Sequence, residues 1–142
     1  MKIRVLLVDD ESEFVEALAQ RLEVRDFDVS TAGGGEQALA LIGQQEFDVV
    51  VLDVLMPGKG GIATLKDIKQ RKPLLQVIML TGNATVENAI EGMKLGAYDY
   101  LMKPTETGEL VDKINDAHRL KNEHEQRIRR AEIKDIIGRR GW

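Results

Sequence analysis

Short, almost wholly apolar runs recur along the chain and alternate with segments whose apolar residues are spaced three or four apart. The apolar runs predict β-strands near residues 3–9, 27–32, 48–53, 76–81 and 99–102. Near-continuous apolar strands are typical of parallel sheets that are covered on both faces. The alternation of such strands with helical segments therefore predicts an α/β fold with one parallel sheet.

Helical periodicity fills the segments between and after the strands. In the first of them, apolar residues recur every four positions, and Ser12 is predicted to cap the helix. The other helices are predicted to follow Gly35, to span about residues 62–71 and 85–95, and to begin near Thr107. Gly96 follows the fourth helix and suits the left-handed position that closes many helices.

The apolar pattern thins after about residue 118, and the charge balance reverses there. Residues 1–118 carry 12 Lys and Arg against 20 Asp and Glu, whereas residues 119–142 carry 8 against 4. We predict one domain over residues 1–118, followed by a helical extension, linker or dimerisation segment over residues 119–142. A charged helix of this kind is usually a solvated one, so we predict no direct contact with nucleic acid.

Composition narrows the chemistry that the chain can perform. The sequence has 142 residues, 43% of them apolar, which suits one domain with a real core. It has no cysteine, and both histidines lie in the charged C-terminal stretch, so any metal is expected to bind oxygen ligands. No leader and no membrane-spanning apolar run is apparent, so we expect a cytoplasmic protein without membrane contact.

Charged and hydroxyl side chains stand at the carboxyl ends of four predicted strands. They are Asp9 and Asp10, Asp53, Thr81 and Lys103. Because the carboxyl ends of parallel strands open onto one crevice, these side chains are expected to converge. A divalent hard cation such as Mg²⁺ would offset the repulsion between Asp10 and Asp53. A carboxylate beside a metal and an ammonium is a nucleophile that can form and hold an acyl phosphate.

Four short segments carry a resemblance to a known family. They read Val8-Asp9-Asp10-Glu11, then Leu52-Asp53-Val54-Leu55-Met56-Pro57-Gly58 with Gly61, then Leu80-Thr81-Gly82, and finally Asp99-Tyr100-Leu101-Met102-Lys103-Pro104. In this order they resemble the receiver domain of two-component response regulators, over roughly residues 1–118. The resemblance implies a doubly wound, flavodoxin-like α/β fold with five parallel strands in the order 2-1-3-4-5. The helical periodicity that continues after residue 118 adds an extended C-terminal helix to this prediction.

The resemblance also implies a phosphoacceptor and a metal site. Asp53 would accept a phosphoryl group from the phosphohistidine of a sensor histidine kinase. Asp10, Asp53 and the backbone carbonyl of Leu55 would ligate Mg²⁺, and Asp9 would support the metal through a water molecule. Such a protein assists its own phosphorylation and dephosphorylation but is not an enzyme in the usual sense.

A conformational switch is the remaining implication of the resemblance. Thr81 and Lys103 would bind the phosphoryl group, Thr81 would move toward it, and Tyr100 would turn inward. The changed surface would then control a downstream effector domain or partner protein. Residual periodicity at Leu120, Ile128 and Ile137 motivates the further hypothesis of a homodimer through the fourth helix and the extension.

Two positions set the lifetime of the phosphate in proteins of this kind, and here they hold Leu55 and Asn83. A leucine side chain cannot orient an attacking water molecule. We therefore predict that an aspartyl phosphate on Asp53 would hydrolyse slowly.

Three other functions remain open from the sequence. The run from Gly33 to Ala38 fits the glycine spacing of a dinucleotide-binding turn, although it follows the second strand and not the first. A magnesium-dependent phosphatase or phosphotransferase with an aspartyl nucleophile would share much of this chemistry, but leucine stands at position 55, where such hydrolases carry an acid. A non-catalytic binding module is the third. The chain is either a stand-alone regulator or the receiver of a longer protein.

Overall fold

Five parallel strands form a single sheet in the computed structural model, which describes residues 1–82 and 85–139. The strands are β1 (Arg4–Val8), β2 (Asp28–Ala32), β3 (Val49–Leu52), β4 (Gln76–Thr81) and β5 (Asp99–Met102). Their spatial order is β2-β1-β3-β4-β5. Val5 of β1, for example, pairs with Val29 on one side and with Val49 on the other. The predicted strands and strand order are confirmed.

Helices connect successive strands and cover both faces of the sheet. They are α1 (Ser12–Val24), α2 (Gly35–Gln44), α3 (Gly61–Arg71), α4 (Val86–Lys94) and α5 (Thr107–Arg139). Gly96, just after α4, has a φ of 101°, which confirms its predicted left-handed conformation. The predicted cap of α1 is wrong. Glu11 occupies the cap position and Ser12 is already helical, so its hydroxyl does not stand where a capping oxygen must.

Two hydrophobic cores lie on opposite faces of the sheet. Because successive strand side chains point to opposite faces, Leu6 and Val8 enter one core and Val5 and Leu7 enter the other. The first core packs against α2, α3 and residues that flank α4, and the second packs against α1 and α5. A sheet that is buried on both faces explains why the strands are almost wholly apolar.

Helix α5 extends well past the sheet. Its buried residues are Leu110, Ile114 and Ala117, all in the first third of its 33 residues. Farther along, Ile128 and Ile133 are exposed. The predicted boundary at residue 118 lies inside this continuous helix, so the division into domain and extension stays a prediction. Among the described helices, none combines the length and apolarity needed to cross a bilayer.

Candidate site at the carboxyl ends of the strands

Four neighbouring strands deliver the predicted site residues to one edge of the sheet. Asp9 follows β1, Asp53 follows β3, Thr81 ends β4, and Lys103 follows β5. Backbone hydrogen bonds continue past the strand ends and fix these positions. The Asp53 N–H donates to the Val8 carbonyl over 2.9 Å, and the Lys103 N–H donates to the Thr81 carbonyl over 2.9 Å. The rigid sheet therefore holds the backbone from which each of these side chains projects.

Lys103 links the acidic groups of the edge. Its Nζ lies 2.6 Å from Asp9 Oδ2, 3.1 Å from Glu11 Oε1 and 3.9 Å from Asp53 Oδ2. The same ammonium stands 4.2 Å from the centre of the Phe14 ring, within the range of a cation–π contact. Asp9 and Lys103 are 94 positions apart in the chain and still form a direct ion pair. The convergence expected from strand ends is therefore present.

Asp53 is a buried carboxyl group, only 5% exposed, in an environment that disfavours its charge. Burial raises the pKa of Asp53, and the nearby charge of Asp9 raises it further. The Lys103 ammonium, a hydrogen bond from the Thr81 hydroxyl and the Leu55 backbone N–H oppose this shift without cancelling it. A cation bound beside Asp53 would oppose this shift and favour the carboxylate.

The surroundings of Lys103 favour its charged form, whereas those of Asp53 disfavour its charge. Burial alone would lower its pKa, but the hydrogen bonds to Asp9 and Glu11 and the surrounding negative charge raise the pKa above its ordinary value. Lys103 therefore stays an ammonium, and its charge is available to any anion that enters the site.

Three carboxylates of this edge could hold a metal ion together. Asp9, Asp10 and Asp53 each offer an oxygen, and these oxygens lie within 4.8 Å of one another. Asp9 and Asp53 are buried, whereas Asp10 is exposed. Carboxylate oxygens are the ligands that hard divalent cations prefer, so the donor set fits such an ion. The Leu55 N–H lies 3.4 Å from Asp53 Oδ1, which places this residue at the site, while its side chain is exposed.

The two predicted switch residues lie near Asp53. Thr81 is almost fully buried and hydrogen-bonds to Asp53. The Tyr100 hydroxyl is also buried. Burial, followed by the charge of Asp53, raises the pKa of Tyr100; the Thr85 backbone opposes this shift. Asn83, the second of the predicted lifetime positions, lies outside the described residues.

Gly61 allows α3 to begin directly against the backbone of Asp53 and Val54. A Cβ at this position would lie 2.1 Å from the Asp53 carbonyl oxygen and 2.6 Å from the Val54 Cα, so only glycine fits. The Gly61 N–H donates to the Val54 carbonyl over 2.9 Å. The start of α3 therefore braces the backbone that carries Asp53.

The glycine run that suggested a dinucleotide site has a packing role. A Cβ at Gly35 would lie 2.1 Å from Thr64 Oγ1 and 3.2 Å from the Lys59 side chain. Glycine is thus needed because α2 begins directly against α3. This contact accounts for Gly35, one of the glycines of the motif, without a bound nucleotide.

Sequence reasoning missed two groups of the site, Glu11 and Phe14, which both contact Lys103. Glu11 follows two aspartates and is one more acid in an acidic run. Phe14 belongs to the apolar stripe of α1, where an ordinary core role was the simplest interpretation. The available signal was position, because Glu11 lies in the short turn between β1 and α1 and Phe14 lies in the first turn of α1.

Comparisons with known proteins agree with this geometry. The family model described as response regulator receiver domain matches residues 5–115. The chain belongs to the response regulator receiver domain family. Transcriptional regulatory protein CpxR of Escherichia coli is 44% identical over 111 residues, which cover 78% of this chain and 47% of CpxR. Transcriptional regulatory protein ZraR of the same species is 42% identical over 102 residues, which cover 72% of this chain and 23% of ZraR.

Solved structures show the same receiver fold. A CheY-like receiver domain protein from Methanospirillum hungatei superposes with a TM-score of 0.84 at 28% identity, and the match covers 87% of this chain and 99% of that one. The chain spans about half the length of CpxR and about a quarter of ZraR. It is therefore a receiver domain of two-component signalling whose relatives carry additional segments.

Proposed function

We propose that this receiver domain accepts a phosphoryl group on Asp53 from the phosphohistidine of a sensor histidine kinase. The observation that carries the proposal is the position of the Lys103 ammonium, 2.6 Å from Asp9 and 3.9 Å from the buried Asp53 carboxylate. A carboxylate with an ammonium and a hydroxyl beside it has the groups that phosphoryl transfer requires. The contact between two residues so distant in the chain supports a built site over a chance cluster.

Asp10, Asp53 and the backbone carbonyl of Leu55 are the proposed ligands of Mg²⁺, and Asp9 supports the ion through a water molecule. The proximity of the three aspartates supports this assignment, as does their exclusively oxygen donor set. When bound, Mg²⁺ neutralises charge on the transferred phosphoryl oxygens. Its charge would also lower the raised pKa of Asp53 and favour the carboxylate.

The proposed transfer step is a direct displacement at phosphorus. A carboxylate oxygen of Asp53 bonds to the phosphorus atom as the phosphorus–nitrogen bond of the donor phosphohistidine breaks. The released imidazole nitrogen keeps the bonding electron pair and takes up a proton from water. Lys103 stabilises the negative charge on the phosphoryl oxygens, and the Thr81 hydroxyl donates a hydrogen bond to one of them.

The switch that we propose follows from the new charge on Asp53. Thr81 leaves its hydrogen bond with the carboxylate to bind the phosphoryl group, and Tyr100 turns inward. Added negative charge beside fixed donors shifts the balance between two conformations. The surroundings of Asp53 support this step, because Thr81 hydrogen-bonds to its carboxylate and the charge of Asp53 acts on Tyr100.

By this proposal the chain is a phosphoacceptor and not an enzyme with turnover on a free substrate. The alternative, a phosphatase or phosphotransferase with an aspartyl nucleophile, would need an acid at position 55. Leu55 offers none, and its side chain is 49% exposed to solvent.

The proposed partners are a sensor histidine kinase and an effector domain or partner protein, in the cytoplasm, with residues 119–142 as linker or dimerisation segment. A homodimer is the accompanying hypothesis, supported by exposed apolar residues on α4 and at the end of β5: Val86, Ile90, Met93 and Met102. Light scattering of the protein with and without beryllofluoride and Mg²⁺ tests it, and a mass that stays monomeric in both contradicts it.

Intact-mass measurement after incubation with acetyl phosphate and Mg²⁺ tests the central proposal. Wild-type protein should gain one phosphoryl group, and the gain should disappear in Asp53→Asn and when a chelator removes the metal. Equal uptake by Asp53→Asn would contradict the assignment of Asp53, and no uptake by folded wild-type protein would contradict the function.

A further inference from the structure

Glu11 makes the outermost contact of the Lys103 ammonium. Its Oε1 lies 3.1 Å from Lys103 Nζ, whereas the nearest Asp53 oxygen lies 3.9 Å away. The Glu11 backbone N–H donates to Asp9 Oδ1 over 2.9 Å, so the residue is anchored to the site through its main chain. Its side chain is nevertheless 64% exposed. Glu11 therefore combines a fixed backbone with a carboxylate that solvent can reach.

We propose that Glu11 is a positioning residue that holds Lys103 away from Asp53 before phosphorylation and releases it when the phosphoryl group arrives. This inference rests on the proposed function, because it concerns how that same site is regulated. By this proposal, the contact between Glu11 and Lys103 slows the phosphorylation of Asp53.

The hydrogen bonds of Lys103 support this role of Glu11. An ammonium has three N–H donors, and two of them are directed to Asp9 and Glu11. The Phe14 ring lies against the ammonium as well, at 4.2 Å from its centre. These contacts hold the ammonium on the Asp9 and Glu11 side of the site, and a displacement of Nζ from Glu11 toward Asp53 would lengthen the Glu11 contact.

The difference in burial between Asp9 and Glu11 determines which of the two contacts with Lys103 breaks first. Asp9 is only 5% exposed, and its two oxygens already accept from Lys103 and from the Glu11 N–H, so it cannot turn away. The exposed Glu11 carboxylate can rotate into water, because solvent replaces the lost hydrogen bond at little cost. The labile partner of Lys103 is therefore Glu11.

A matched pair of variants separates this contact from general electrostatics. Glu11→Gln removes the charge that binds Lys103. Glu13→Gln removes an equal charge from an exposed residue in the first turn of α1. The phosphorylation rate with acetyl phosphate is measured at Mg²⁺ concentrations that saturate each variant, so that a changed metal affinity does not enter the comparison.

Glu11→Gln should be phosphorylated roughly three-fold faster than wild type, which is the size expected from releasing one exposed ion pair. Glu13→Gln should stay close to the wild-type rate. Glu11→Asp, which keeps the charge but shortens the side chain, should fall between Glu11→Gln and wild type. A rate for Glu11→Gln that is equal to or below wild type, or equal acceleration by Glu13→Gln, overturns the proposal.

A second measurement does not depend on phosphorylation. In metal-free protein, the side-chain ¹⁵Nζ resonance of Lys103 should shift in Glu11→Gln and not in Glu13→Gln, because only Glu11 contacts the ammonium. An unshifted resonance overturns the proposal even if the rates behave as expected. If wild-type protein accepts no phosphoryl group, the proposed function fails, and this resonance still decides whether Glu11 holds Lys103.

Discussion

Asp48 and Asp53 flank the same strand, β3, and their surroundings differ sharply. At the amino end, the Arg4 N–H donates to Asp48 Oδ2 over 2.9 Å, and Lys121 Nζ and His118 Nε2 lie 3.6 and 3.9 Å from Oδ1. Asp53, at the carboxyl end, has its nearest described cation 3.9 Å away.

The difference lies in how each charge is balanced. Asp48 receives a backbone N–H and faces the side chains of α5, so its carboxylate helps to fasten that helix to the sheet. Asp53 lies beside Asp9 and is more deeply buried, and both effects raise its pKa. The two aspartates beside β3 therefore differ in their neighbours: Asp48 faces a lysine of α5, whereas burial and the charge of Asp9 disfavour the ionised form of Asp53.

The largest expected difference is in phosphorylation itself. Asp53→Asn should abolish uptake from acetyl phosphate. Asp48→Asn, the same substitution at the other end of β3, should keep a rate within about two-fold of wild type, because Asp48 contacts Arg4 and α5 at the opposite edge of the sheet. Intact-mass time courses measure both rates. Loss of uptake in a folded Asp48→Asn protein would break the contrast.

The lifetime of the aspartyl phosphate should depend on the residue beside Asp53. Leu55→Asn should accelerate its hydrolysis by roughly ten-fold, because an amide can orient an attacking water molecule and a leucine cannot. Leu55→Ala is the control, since it removes bulk without adding a polar group. Decay is followed by mass after the phosphodonor is removed, and an unchanged half-life in Leu55→Asn contradicts the prediction.

Stability should respond to the two asparagine substitutions with opposite signs. Asp53→Asn should increase the free energy of unfolding by about 1 kcal/mol without Mg²⁺, because it removes a buried charge next to Asp9. Asp48→Asn should lower it by up to about 1 kcal/mol, because it removes the charge that faces Lys121 and His118. Urea unfolding measures both free energies. If both variants were stabilised, or both destabilised, the comparison would be contradicted.

The gain from Asp53→Asn should depend on pH in a direction that the raised pKa fixes. Above the raised pKa of Asp53 in the folded protein, the ionised carboxylate lowers the free energy of unfolding. Below 3.8, the ordinary pKa of the group in the unfolded chain, Asp53 is protonated in both states and this cost disappears. The advantage of the variant should therefore be present at about pH 7.5 and absent at about pH 3.5. Equal gains at both values would show that charge is not its cause.

The smallest expected effect concerns the fastening of α5. Lys121→Met should lower stability by about 0.5 kcal/mol, since Lys121 binds Glu125 over 2.6 Å and faces Asp48 at 3.6 Å. Amide hydrogen exchange should become faster over residues 119–125. Lys134→Met, at an exposed position farther along α5, serves as control and should leave exchange in that stretch unchanged.

Patterns along the chain predicted the parallel α/β sheet and the location of the site, whereas the strand order came from the family resemblance. Apolar strands identified a sheet covered on both faces, and the rule that parallel strands end at one edge brought Asp53 and Lys103 together. These inferences succeed because they depend on strand direction and burial, which sequence encodes locally.

Other features required the packed structure. Gly35 shares the spacing of a phosphate-binding turn, and only its approach to Thr64 reveals that the glycine serves packing. Asp48 precedes a strand, where the rule about carboxyl ends gives no reason to look for partners. The contacts of Asp48 and Glu11 join distant parts of the chain, so neither could be inferred from local pattern.

Helix α5 gives the domain an unusual mechanical property. At about 1.5 Å per residue, the stretch that runs from Ala117 to Arg139 without leaving the helix reaches roughly 33 Å beyond the last buried turn. In a straight helix of that length, a tilt of about 5° at the base would displace the tip by about 3 Å. A small change in packing beneath the base of α5 would therefore cause a larger displacement at its far end, and hence in any group that contacts that end.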